Sequence, residues 1–168
     1  MTRYFSAFDL PAAVSGHLAE ALGDVPAPLR PTPRDHWHVT VGYYGAVDPV
    51  ERVTSLRERA ADLPAPTLRL RGSGTFSSVV LLVVRERGTE LAAIAGAADA
   101  EAGGHGTYRP HVTVARWARG ADRVPGDALA ARLADYTGPW WTPSELVLYA
   151  SEQGRYTPVE RVRLRSPG

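Results

Sequence analysis

The sequence predicts strands and helices alternating along the chain in two similar lobes, on three observations. Hydrophobic spacing switches repeatedly between a two-residue and a helical period over the 168 residues; the tripeptide His-Val-Thr occurs twice, at His38 to Thr40 and at His111 to Thr113; and no linker or low-complexity tract divides the chain. A chain of this length can bury about two-thirds of its unfolded surface. Residues 1–168 are therefore expected to form one domain with two lobes.

Tyr4 to Phe8 alternates as a strand, and Pro11 opens an alanine-rich helix with Val14, Leu18 and Leu22 on one face, stopped near Gly23. Four prolines between Pro26 and Pro33 require an extended connection. Trp37 to Tyr44, β-branched and aromatic, is a strand carrying the first His-Val-Thr. A second helix fits Pro49 to Leu63, with Val50, Val53, Leu56 and Ala60 on its apolar face and Pro64 and Pro66 beyond it. Thr67 to Arg71 alternates, Gly72-Ser73-Gly74 is expected to turn the chain, and Val79 to Val84 is apolar throughout, as a strand covered on both faces would be. Thr89 to Ala102 is a third helix with Leu91, Ile94 and Ala98 in register, stopped by Gly103-Gly104. Tyr108 to Trp117 is the strand of the second His-Val-Thr, Ala128 to Leu133 a short helix, and the segments Leu146 to Tyr149 and Tyr156 to Leu164 a hairpin turning at Gly154.

Composition excludes several chemistries. All 19 basic residues are arginine, so P-loop, Schiff-base and adenylylated-lysine mechanisms have no lysine to use. Cysteine is absent, which removes disulfides, thiolate metal sites and a cysteine nucleophile. A formal net charge of +1 with mixed signs does not mark a nucleic-acid binder, so any anion site must be local. The N-terminus lacks the uninterrupted apolar core of a signal peptide and the longest aliphatic run is far short of the ~20 residues that span a bilayer. A soluble, cytoplasmic protein with no membrane association is the expectation.

Side chains alternate along a strand, so His38 and Thr40 share one face while Val39 and Val41 point to the other, and the same holds for His111 and Thr113 against Val112 and Val114. Each strand then buries two valines and offers an imidazole and a hydroxyl to a shared cleft. Two imidazoles near their ordinary pKa can supply an acid and a base at neutral pH, and two threonine hydroxyls can hold the oxygens of a phosphate. By the same parity Tyr44 belongs to the His38 face, either stacked on a base or packed. Arg116 has the opposite parity to His111 but sits at a strand end. A metal pair at His36 and His38 is the weaker reading, because only Asp35 lies near it in sequence. His17 on a helix and His105 in a glycine loop are expected to face solvent, and Trp140-Trp141 to pack on opposite strand faces.

The runs Arg3 to Pro11, His36 to Val41, Tyr44-Gly45 and Tyr108 to Arg116 resemble the successive signatures of the two-histidine phosphoesterases, specifically the RNA 2',3'-cyclic phosphodiesterase (bacterial 2'-5' RNA ligase) branch, and Leu146 to Ser151 with Gly154 to Tyr156 match that branch too. The resemblance implies a bilobal α+β fold: two pseudo-symmetric lobes, each an antiparallel sheet with flanking helices, around a central cleft. It implies opening of a terminal 2',3'-cyclic phosphate of RNA to a 2'-phosphomonoester, with weak reverse 2'-5' joining in some members, and no metal or other cofactor. The expected partner is RNA with a cyclic-phosphate end, or a cyclic nucleotide, bound by a monomer with no obligate protein partner.

By this analogy His38 protonates the departing 3'-oxygen and His111 activates water, although near-symmetry permits the swap; Thr40, Thr113 and Arg116 bind phosphate, with a surface ion pair as the other reading of Arg116. Phe5 and Phe76 line a base pocket by resemblance, with core packing the default for both. His36 stands where the family commonly has asparagine, and Gly42-Tyr43-Tyr44 replaces a basic-aromatic-aliphatic run, so substrate preference is open at these positions. Competing functions are a phosphodiesterase for a small cyclic phosphate or a 2'-5' oligoadenylate, and a non-catalytic module that holds RNA ends or nucleotides.

Overall fold

In the computed structural model, which describes residues 1–102 and 106–167, the predicted order of elements is present with one two-residue strand added. The chain runs β1 (Arg3–Asp9), α1 (Ala12–Leu22), β2 (Arg30–Pro31), β3 (His38–Gly45), α2 (Pro49–Ala60), β4 (Thr67–Phe76), β5 (Val79–Arg87), α3 (Leu91–Ala97), β6 (His111–Arg116), α4 (Val124–Arg132), β7 (Glu145–Glu152) and β8 (Arg155–Arg163). The strands form two antiparallel four-stranded sheets, ordered β3-β1-β7-β8 and β2-β6-β5-β4. The lobes are therefore not the two halves of the chain: the C-terminal hairpin returns to pair with β1, and the second sheet is built from the middle. Phe8, Leu18, Leu56 and Leu148 are fully buried, as are Leu68, Leu82, Ile94 and Val112, and α2 and α3 pack on the first sheet at β8 and β3 while α4 packs on the second at β4 and β5.

Four local expectations are corrected. Gly72-Ser73-Gly74 does not turn the chain; β4 continues through it by a bulge between Leu70 and Ser73, and the turn falls at Ser77-Ser78. Val50 is 70% exposed, because the buried stripe of α2 is Leu56 and Ala60. Along β5 only Val80, Leu82 and Val84 are buried, so the strand is covered on one face and partly open on the other. The third helix is also shorter than predicted, and its expected stop, Gly103-Gly104, lies outside the described residues, as does His105. None of the helices among the described residues is long and apolar enough to cross a membrane.

The feature that positions the site is a bulge repeated in both sheets. On β3, Thr40 pairs with Ala7 and Gly42 with Ser6, which leaves Val41 without a partner. On β6, Thr113 pairs with Leu81 and Ala115 with Val80, which leaves Val114 without one. Each bulge falls three residues after the histidine, so Val41 and Gly42, like Val114 and Ala115, are buried in succession and the alternation of faces reverses.

Candidate functional site

The strands β3 and β6 face each other where the two sheets meet, and the hydroxyl of Tyr108 ties them by donating to the Thr40 carbonyl at 2.8 Å. Burial raises the Tyr108 pKa, so its proton remains available for that bond. Between the sheets lies a cavity of about 310 Å³ whose walls include His38, Thr40, His111 and Thr113. The valines of both tripeptides, Val39, Val41, Val112 and Val114, are at most 1% exposed. The sequence-derived division of each strand into a packed face and a cleft face thus holds through the threonine.

Both imidazoles are oriented alike. His38 Nδ1 lies 2.7 Å from the His36 carbonyl and His111 Nδ1 lies 2.8 Å from the Arg109 carbonyl, each two residues back along the chain. A carbonyl only accepts, so both Nδ1 atoms carry hydrogen and the lone pair of each neutral ring is on Nε2. His38 Nε2 is 2.9 Å from Thr40 Oγ1. Burial pushes the His38 pKa below its ordinary value, against the bond to the His36 carbonyl and the charge of Asp9, which act to raise it.

After the bulges the two strands deliver different side chains to the same cavity. Arg116 lines it, so the bulge at Val114 overrides the parity that placed this arginine on the far side. Tyr43 lines it on the other strand, at the same distance from its histidine. Of the two readings of Tyr44, the one that stacks it on a base in the cleft is corrected for the same reason, and the packed one holds. Its hydroxyl donates to the Ala98 carbonyl at 2.8 Å and meets Ser6 Oγ at 2.8 Å, while the Arg52 guanidinium lies 3.8 Å from its ring centre. Burial raises the Tyr44 pKa, in keeping with a packed, neutral phenol.

Phe5 lines the cavity from β1, buried, with its ring centre 4.9 Å from that of His38. Phe76 does not: it is 72% exposed at the β4–β5 hairpin tip, where the strand carries it beyond the expected glycine turn. Four wall residues, Arg3, Thr32, Ser151 and Tyr156, were not anticipated as site residues. Tyr156 stacks on His36 with ring centres 4.2 Å apart and meets Phe5 edge-on at 5.1 Å, and Arg3 completes that side. Thr32 lines the opposite side, its buried Oγ1 without a hydrogen-bond partner among the described residues. Tyr156 and Thr32 come from a hairpin strand and a proline-rich connection, where no local spacing marks them. His36 belongs to the short 3-10 turn before β3, and no group of three His, Cys, Asp or Glu side chains able to hold a metal comes together among the described residues. His17 is exposed and its Nδ1 lies 2.8 Å from the Tyr136 hydroxyl.

Comparison with known proteins adds a family. Residues 30–155 match the model of the 2'-5' RNA ligase superfamily. The fold is similar to that of LigT from E. coli in its apo form, at 28% identity and a TM-score of 0.74 over 98% of each chain. It is also similar to TT0787 of Thermus thermophilus, at 26% identity and a TM-score of 0.76 over 99% of this chain and 100% of that one. A third solved structure, described as a phosphoesterase, matches at 27% identity and a TM-score of 0.74, over 98% of this chain and 99% of that one. LigT has been crystallised with phosphate, 3'-AMP, ATP and NADP+. No curated protein sequence matches the chain.

Proposed function

The chain belongs to the 2'-5' RNA ligase superfamily and shares its two-histidine phosphoesterase fold, and from that premise we propose that it hydrolyses a terminal 2',3'-cyclic phosphate of RNA to a 2'-phosphomonoester. The observation that carries this reading is the matched orientation of His38 and His111 on either side of one cavity, each with Nδ1 bound to the carbonyl two residues back; His38 Nε2 meets Thr40 Oγ1, a contact that substrate would replace.

In the proposed reaction His111 Nε2 takes a proton from water as the water oxygen attacks phosphorus. The bond from phosphorus to the 3'-oxygen breaks, and His38 Nε2 gives its proton to that oxygen, leaving the phosphate on O2'. Thr40 and Thr113 hold the non-bridging oxygens, and Arg116, whose guanidinium can bind two oxygens at once, balances the charge that develops on them. Burial works against protonated His38 in the open cleft, and the negative charge of an arriving phosphodiester works for it. Substrate binding thus loads the acid. The Phe5 and Tyr156 rings, beside His38, form the wall against which the terminal nucleoside lies.

The test is turnover of 2',3'-cyclic nucleotides by EDTA-treated protein, with the product followed by phosphorus NMR. His38→Ala and His111→Ala should each lower kcat by about 10²–10⁴-fold without loss of fold. Undiminished turnover in either variant refutes the acid–base pair, loss of activity on chelation refutes a metal-free reaction, and a 3'-phosphate product reverses the leaving group.

A further inference from the structure

The cleft face of the second sheet extends well beyond the phosphate site. His111 pairs directly with Val83 on β5, so these two side chains share a face. Regular alternation carries that face to Arg85 and Arg87, about 7 and 13 Å further along the strand. Across to β4, Arg85 pairs with Arg69 and Arg87 with Thr67, with no break in register. The intervening residue confirms the parity: Glu86 points to the helical side, where its carboxylate accepts the Leu91 N–H at 2.8 Å.

Three guanidiniums therefore stand on the face that carries His111 and Thr113. Trp140 completes the group. The bridge between Leu68 and Trp141 places Trp141 on the packed side, and the indole of Trp140 on the other, with Arg69 and Arg87 each 4.5 Å from its ring centre. Arg69 is held further by its Nε–H bond to the Gly138 carbonyl at 3.0 Å. The ion pairs among the described residues engage Arg52, Arg57, Arg59, Arg123 and Arg161, and none takes a carboxylate to Arg69, Arg85 or Arg87. In a chain of net charge +1, this is a concentration of uncompensated positive charge beside an anion site, and Arg85 and Arg87 are exposed.

We propose that Arg69, Arg85 and Arg87, with Trp140 holding two of them in place, bind the phosphates of the single RNA strand that continues 5' from the nucleotide in the cleft. The proposal rests on the cyclic phosphodiesterase reading and deepens it, making the preferred substrate an oligonucleotide end rather than a mononucleotide. A guanidinium stacked on an indole has given up its rotational freedom before the ligand arrives, so Trp140 is a positioning residue for the track.

The experiment compares kcat/KM for a 2',3'-cyclic mononucleotide and for a cyclic-phosphate-ended strand of about ten nucleotides, in wild type, in the double variant Arg85→Ala/Arg87→Ala, and in Trp140→Ala. The mononucleotide should be turned over equally by all three. Wild type should prefer the oligonucleotide, with a salt slope steeper by about 0.7 per phosphate held, and the double variant should lose roughly two such contacts and most of the preference. Equal oligonucleotide kinetics and equal salt slopes in wild type and the double variant overturn the track while leaving the phosphodiesterase reading intact. If no substrate turns over, anisotropy of a labelled 2'-phosphate-ended strand still decides: weaker binding to the double variant supports the track, and unchanged binding, or binding only of the annealed duplex, overturns it.

Discussion

Replacing Gly42 by alanine adds a methyl group where the fold has no room for one. The new Cβ would stand 2.4 Å from the Ala98 carbonyl oxygen and 2.6 Å from the Tyr44 hydroxyl. Neither neighbour yields readily, since one is backbone at the end of α3 and the other is fixed by bonds to Ser6 and Ala98. Ser6 Oγ also accepts the Gly42 N–H at 3.1 Å, so the bulge and the phenol are parts of one buried network. Overpacking of this kind costs about 1–3 kcal/mol, and loss of a buried hydrogen bond adds about 1 kcal/mol. The expected penalty is about 2–4 kcal/mol, a fall in Tm of roughly 5–15 °C for a chain of this size. Urea denaturation and calorimetry measure it directly. Tyr44→Phe removes one of the two clashing oxygens, so the double variant should be less destabilised than the sum of the single changes. Gly96→Ala is the control: it lies in α3, nothing is within 4 Å of its added Cβ, and the change should stabilise by about 0.5–1 kcal/mol. A penalty below about 0.5 kcal/mol for Gly42→Ala would refute the claim that the bulge is held rigid from behind.

Further outcomes follow from the site. His38 should titrate below the ordinary histidine value of about 6.5 in the free protein and move upward when a 2'-phosphomononucleotide binds, as read from its imidazole NMR signals. Because the unfolded chain takes up that proton at higher pH than the folded one, His38 should also make stability fall as pH drops below about 6.5, a dependence that His38→Ala removes. Tyr43→Ala should weaken substrate use, whereas Tyr44→Phe should lower Tm and leave KM for the cyclic mononucleotide nearly unchanged. Arg116→Lys keeps the charge but loses the two-pronged geometry, and kcat/KM should fall by roughly 10–100-fold; unaltered kinetics would remove Arg116 from the phosphate site.

The element order and both His-Val-Thr strands were legible in the sequence because alternation and helical spacing are local properties, set by which side chains a strand or helix can bury. Local pattern also identified the four packed valines and the shared face of each histidine and threonine. Parity failed at Tyr44 and at Arg116, because an unpaired residue, Val41 or Val114, reverses the faces of the residues just after it, and a bulge is decided by pairing with β1 or β5 rather than by the bulged strand itself. Phe76 meets neither the base-pocket role the resemblance implied nor the core packing expected by default, because β4 runs on through Gly72-Ser73-Gly74 by another bulge and carries it to the exposed hairpin tip. Thr32, Tyr156 and the arginine track were beyond the sequence for a different reason. Each depends on segments far apart in the chain becoming neighbours, through the return of the C-terminal hairpin to β1 and the docking of Trp140 beside β4, and contacts of that kind are settled only when the sheets close around the cleft.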